Sequence, residues 1–143
     1  MKNFCFTALL ITLIATSTSC KKTIDAIKEE KAQDMIVLAM TNGSWNMTYF
    51  KENSVPVTEF NGYEFKYYAN YTVDGIAPSG VTKQGNWSGD GTALNTSCDF
   101  PASANEPLTK LNGTWKITKN SWTFVEAQQI VGSVTKTMRL DKK

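Results

Sequence analysis

The sequence predicts an all-β fold: a small, eight-stranded antiparallel up-and-down barrel preceded by one N-terminal helix. Three observations carry that expectation. After Gly43 apolar and polar residues alternate with a period of two. Turn-forming pairs such as Asn61-Gly62 and Asn112-Gly113 punctuate the alternation. A Gly-x-Trp triplet recurs three times, at Gly43-Ser44-Trp45, Gly85-Asn86-Trp87 and Gly113-Thr114-Trp115.

The chain opens with Lys2, an apolar run from Phe4 to Ala15 broken only by threonines, and the small polar stretch Thr16 to Ser19 before Cys20. A bilayer-spanning helix needs about 20 apolar residues, so this run is too short to be one. A basic start, a short apolar run and small residues ahead of a cut describe a secretory signal. Ser17-Thr18-Ser19-Cys20 resembles a relaxed lipobox, although the usual leucine three residues before the cysteine is missing. The resemblance implies cleavage before Cys20 and its acylation, palmitate included. The membrane is then a partner through an N-terminal lipid anchor, on the periplasmic side of the bacterial outer membrane. Ser19-Cys20-Lys21-Lys22 is also similar to Bacteroidetes-type lipoproteins, and no acidic run of the kind used for surface display follows. Ordinary cleavage nearby, giving a soluble periplasmic protein, is the other reading. The expected organisation is 1–19 lipoprotein signal peptide, 20–42 lipid tether and helix, and 43–143 barrel domain.

At 143 residues the chain holds one domain. A domain of this size buries roughly two-thirds of its unfolded surface and needs no disulfide. The cysteines agree: Cys5 leaves with the leader and Cys20 is taken by the anchor, so Cys98 remains alone. It shares strand parity with Leu94, Thr96 and Phe100, and has no histidine or lysine cluster beside it in sequence. A small buried residue is expected there, not a reactive thiol. Fifteen Lys plus Arg against thirteen Asp plus Glu leaves a net charge of +2, without the strongly basic face a nucleic-acid binder needs.

In chain order, Ala32, Ile36 and Met40 with Met35 and Ala39 beside them predict a helix up to Asn42. Thr23 is the candidate start cap and Asn42-Gly43 the end. The charged half from Asp25 to Asp34 is expected in solvent, and the apolar half against the barrel. Strands are expected near 44–51, 55–60, 63–73, 80–88, 92–99, 113–119, 121–127 and 132–141. The third is the longest, with Tyr63, Phe65, Tyr67, Ala69, Tyr71 and Val73 on one face. Asp74-Gly75, Gly89-Asp90-Gly91 and Asn120-Ser121 are expected turns, and Pro101 to Pro107 a crossing loop. Short turns join neighbouring strands into a meander, and eight strands can close without an exposed edge.

Gly43-Ser44-Trp45, following a helix and opening the first strand, resembles the Gly-x-Trp signature of lipocalins. The stretch from about Met40 to Leu140 is similar to the lipocalin-like domains of Bacteroidetes-type cell-envelope lipoproteins. Those domains carry, in order, motifs that here are Trp45, Tyr63 to Gly75, Trp87, Leu111 to Trp115 and Trp122. The resemblance implies a barrel able to enclose a small apolar ligand, and an arginine near the barrel's end packed on the first tryptophan. Arg139 is the candidate for that arginine, with strand parity opposite to Met138 and Leu140.

No histidine is present, which excludes His-dependent nucleophilic catalysis and His-ligated metals. No phosphate-cradling glycine loop appears. Glu52, Glu59, Glu64, Asp74, Asp90, Asp99, Glu106 and Glu126 sit at strand ends or polar-parity positions and read as a solvated face. Accordingly no catalytic residue, no metal and no cofactor are expected. The residues expected to form either solid core or cavity wall are Trp45, Tyr63, Phe65, Tyr67, Trp87, Trp115, Trp122 and Phe124. Two functions follow from that alternative. One is a lipid-anchored, non-enzymatic binding domain for a small apolar ligand. The other is an envelope structural or interaction module with a solid barrel and a protein partner of unknown identity. The presence or absence of a cavity separates them.

Overall fold

In the computed structural model, residues 17–104 and 107–143 are described. The apolar run of the expected signal peptide, and Glu106, lie outside them. The order is helix α1 (Ser17–Thr41), β1 (Trp45–Glu52), β2 (Val55–Pro56), β3 (Glu64–Tyr67), β4 (Thr72–Ile76), β5 (Thr82–Asp90), β6 (Asn95–Asp99), β7 (Gly113–Asn120), β8 (Phe124–Val131) and β9 (Val134–Lys142). Setting aside the two-residue β2, eight antiparallel strands run round in chain order, and β9 pairs back onto β1 from Trp45↔Lys142 to Glu52↔Lys136. The sheet is therefore a closed lipocalin-like barrel with one preceding helix. No helix among the described residues is long and apolar enough to cross a membrane.

Alternation fails as a guide to partition in two places. Positions 55–60 are not a barrel strand: Asn53 and Ser54, at φ +48 and +69, fold the chain back, and a 3-10 helix, Thr58–Phe60, follows β2. Pro56 has no N–H for a longer ladder, and Phe60 turns into the core at 1% exposure. The long strand at 63–73 is two strands, β3 and β4, joined by a turn in which the Tyr71 amide donates to the Tyr68 carbonyl at 3.0 Å. Asn70 Oδ1 accepts from both the amide and the hydroxyl of Thr72, an Asx turn inside an apparently regular pattern. Conversely Asp74-Gly75 is no turn. Gly75 lies in β4, where a Cβ would sit 2.6 Å from Leu108 Cδ2, and the chain reverses at Ala77 to Gly80 instead.

Smaller differences have equally local causes. A bulge between Met47 and Tyr49 flips the parity of β1, so that Trp45, Met47 and Phe50 face inward and Tyr49 faces out. Thr23 lies within α1, which begins by Ser17, and so does not cap its start. β8 begins at Phe124, because Ser121 to Thr123 form the β7–β8 turn, with Ser121 Oγ accepting from the amides of Thr123 and Phe124.

The two ends of the barrel are closed differently. At one end the 3-10 helices Thr58–Phe60, Ala102–Ala104 and Leu108–Leu111 insert Phe60, Ala104, Leu108 and Leu111. With Phe50, Phe65, Phe100 and Trp115 they fill that half, Phe50 packing 4.7 Å from Phe60 and edge-on to Trp115 at 6.0 Å. The other end, where the β5–β6 and β7–β8 hairpins turn, is covered by α1.

Candidate functional site

Two of the Gly-x-Trp triplets perform the same local task. Each follows a helix, at α1 and at Leu108–Leu111, and each glycine adopts a left-handed conformation, φ +96 at Gly43 and +103 at Gly113. A helix commonly ends this way, because a Cβ penalises that geometry. The tryptophan two residues on then turns inward and its indole N–H donates back to a carbonyl at the helix's C-terminal end: Trp45 to Met40 at 2.9 Å, Trp115 to Leu111 at 2.8 Å. Those carbonyls have no intrahelical donor. Gly85-Asn86-Trp87 differs, since Gly85 lies mid-strand where a Cβ would meet the Asp99 carbonyl oxygen at 2.7 Å. Trp87 donates instead to the Tyr68 carbonyl in the β3–β4 turn, at 3.0 Å.

Between α1 and the barrel lies a cavity of about 230 Å³. Its roof is Ala32, Met35, Ile36, Ala39 and Met40, which share one side of the helix, and its walls include Trp45, Tyr67, Trp87, Val125, Met138 and Leu140. The helix approaches closely because of two glycines. A Cβ on Gly91 would stand 2.5 Å from the Ala32 carbonyl oxygen, and one on Gly89 2.6 Å from Ile36 Cγ2. Met35, Leu94, Asn120 and Ser121 are exposed and form the rim. Leu94 sits there at φ +53, at the end of the β5–β6 turn, an uncommon conformation for a non-glycine residue.

None of the described lining residues is charged. The deep polar groups are the Tyr67 hydroxyl and the Cys98 thiol, neighbours in the cavity wall. Burial raises the Tyr67 hydroxyl well above the usual tyrosine range, the neighbouring Cys98 adding to the effect. Burial likewise pushes the Cys98 thiol up to about 12, against the opposing effect of Tyr67. The thiolate is the reactive form. Maleimide labelling mapped by peptide mass is therefore expected to leave Cys98 unmodified in the folded protein and to modify it fully in denaturant. Fast modification without denaturant would show the cavity standing open to reagent.

Of the eight aromatic positions singled out from the sequence, Trp45, Tyr67 and Trp87 line the cavity. Phe65 and Trp115 are in the filled half, at 1% and 0% exposure, and Tyr63 is half-buried 6.3 Å from Phe65. Trp122 and Phe124 do not belong to the interior. Trp122 is 53% exposed in the β7–β8 turn, and Phe124 lies on the outer face of β8, where Val125 and Ala127 take the inner one. Over Phe124, at 4.3 Å, lies the Arg139 guanidinium, which also bonds Glu126 and Asp141. Parity thus takes Arg139 away from the first tryptophan. The cation over Trp45 is Lys142, with Nζ 5.3 Å from the ring centre.

The expected turn is there, beginning at Gly91 after β5, but the sequence reading did not see that Gly89 and Gly91 also seat the helix. Their shared parity with Gly85 and Trp87 was the available signal. The carboxylates are used locally: Asp74 accepts from Tyr68 and Gln84, Asp90 caps the β5–β6 turn, and Glu64 pairs with Lys143. Among the described residues no group of three or more Cys, Asp or Glu could hold a metal ion.

The fold has solved counterparts. A DUF4847 family protein from Bacteroides vulgatus superimposes with a TM-score of 0.56 at 15% identity, over 76% of this chain and 97% of that one. A lipocalin-like protein from Bacteroides uniformis gives 0.52 at 13% identity, over 73% and 99%. Japanin from Rhipicephalus appendiculatus, solved bound to cholesterol, gives 0.51 at 8% identity, over 73% and 76%. No protein-family model and no curated protein sequence matches the chain. At these identities the likeness defines the class of fold, a lipocalin-like barrel.

Proposed function

We propose that this protein is a non-enzymatic, lipid-anchored binding domain of the bacterial cell envelope that holds a small, largely apolar molecule beneath α1. The observation that carries the reading is the cavity itself. A barrel serving only as a structural or interaction module has no need of an apolar void, since each unfilled contact costs packing energy. At about 230 Å³ it is smaller than the roughly 300–1,000 Å³ of typical ligand sites. It is larger than the apolar cavity of about 150 Å³ that accepts benzene. The ligand is therefore compact, of one or two rings. Japanin, solved bound to cholesterol, supports the general mode, a largely apolar molecule bound by a protein of this fold.

Trp45 and Trp87 line the cavity while Trp122 is exposed, so tryptophan emission of a Trp122→Phe variant should report occupancy. Titration with compact one- and two-ring compounds, benzoquinones, naphthoquinones and alkylbenzenes, is expected to shift or quench that emission for at least one class. No response to any of them would count against binding.

The anchor rests on the sequence around Cys20. Mass spectrometry of the mature N-terminal peptide is expected to find Cys20 first and acylated, and Cys20→Ser to move the protein out of the membrane fraction, because stable anchoring takes more than one acyl chain. An unmodified N-terminus at another residue would remove the anchor from the account.

A further inference from the structure

The cavity holds a polar pair at its depth and no charge around it. Tyr67 is 5% exposed and Cys98 7%, and the Tyr67 ring is fixed edge-on by Trp87, with centroids 5.4 Å apart at 83°. The hydroxyl's neighbour in the cavity wall is a thiol. Sulfur is a weak acceptor and S–H a weak donor, so a thiol satisfies the hydroxyl poorly, and the phenolic oxygen keeps unused lone pairs. A ligand hydroxyl placed beside the pair improves both groups: it can donate to Tyr67 Oη and accept from the Cys98 S–H.

An anion would find the opposite. Burial keeps both Tyr67 and Cys98 protonated and neutral at pH 7. Lys142 directs its ammonium at the Ala39 carbonyl oxygen, 3.4 Å away, and is not among the lining residues. A carboxylate entering the cavity would shed its water without meeting a cation, which costs far more than burying a hydrogen-bonded hydroxyl. We infer that the cavity selects an uncharged ring compound bearing a hydroxyl group, seated with that hydroxyl against Tyr67 and Cys98. This rests on the binding function proposed above and specifies its ligand class.

Equilibrium dialysis at pH 7 of 2-naphthol, naphthalene and 2-naphthoate against the protein made from its full-length sequence tests it. The three probes share one ring system and differ only in the group offered to the pair. The naphthol should bind about 3- to 10-fold more tightly than naphthalene, the gain of one hydrogen bond. It should exceed the naphthoate by at least about 100-fold, the penalty of an unpaired buried charge. In Tyr67→Phe the advantage of naphthol over naphthalene should vanish while naphthalene itself still binds. Equal or tighter binding of naphthoate would overturn the selectivity and leave the binding function standing. An undiminished naphthol preference in Tyr67→Phe would overturn the assigned seat. If none of the three binds, both the selectivity and the binding function are overturned. Should Tyr67→Phe fail to fold, the ranking in the unaltered chain still decides the matter.

Discussion

Replacing Trp45 by alanine is expected to cost about 3 to 5 kcal/mol, the usual range for a fully buried tryptophan. That is a large share of the roughly 5–15 kcal/mol that holds a typical domain together. Trp45 is 0% exposed and acts at three levels. Its ring is part of the cavity wall, its indole N–H satisfies the Met40 carbonyl at the end of α1, and its backbone begins β1 at the seam where β9 closes the barrel. Removing it opens a void, orphans a helix-terminal carbonyl and loosens the cover of the barrel together. Chemical denaturation followed by circular dichroism measures the loss. A change below about 1 kcal/mol would place Trp45 among ordinary surface substitutions and defeat this view of the triplet.

Gly91→Ala is the second substitution with a large expected effect, although it adds a single methyl group. That methyl would stand 2.5 Å from the Ala32 carbonyl oxygen and 2.8 Å from its carbonyl carbon. Both are backbone atoms of α1 and cannot rotate out of the way, so the helix must rise. Overpacking of this kind costs about 1–3 kcal/mol. The penalty falls on the helix–barrel contact, because the barrel's strand ladders do not involve α1. Amide hydrogen exchange is expected to accelerate by about tenfold or more across the C-terminal half of α1 and to stay unchanged in β7, β8 and β9. Cys98 should then become accessible to maleimide in the folded protein. Uniform acceleration throughout the chain would mean global destabilisation, and no acceleration would mean that Gly91 is not the helix's seat.

How much of this was legible in the sequence depends on which physical signal each element leaves. The barrel was legible because period-two alternation and Asn-Gly or Gly-rich turns are written directly in the chain, and the apolar side of α1 from Ala32 to Met40 followed from its spacing. The Asx turn at Asn70 was not, because Tyr67, Tyr71 and Val73 keep odd parity across it and mimic one continuous strand. The bulge near Thr48 was hidden for a related reason. A one-residue irregularity exchanges Tyr49 for Phe50 on the inner face, and both are aromatic. The three inner aromatics of the cavity were among the positions chosen from sequence. Separating Trp45, Tyr67 and Trp87 from Phe65 and Trp115 required knowing which half of the barrel the 3-10 helices fill, a matter of tertiary packing. Trp122 and Phe124 were misplaced because Asn120-Ser121 was taken for the whole turn. The turn extends to Thr123, which shifts the inward parity of β8 to Val125.

The central claim is that the space beneath α1 is a ligand site, and native mass spectrometry of the protein purified from the cells that make it tests this most directly. Ala39 belongs to the cavity roof, so Ala39→Trp should fill the space with a side chain of the protein's own. The unaltered chain is predicted to carry one small, non-covalent adduct per molecule, released on gentle activation, and the Ala39→Trp protein to carry none. An unaltered chain that flies only at its bare mass, and takes up no added 2-naphthol, would contradict the account.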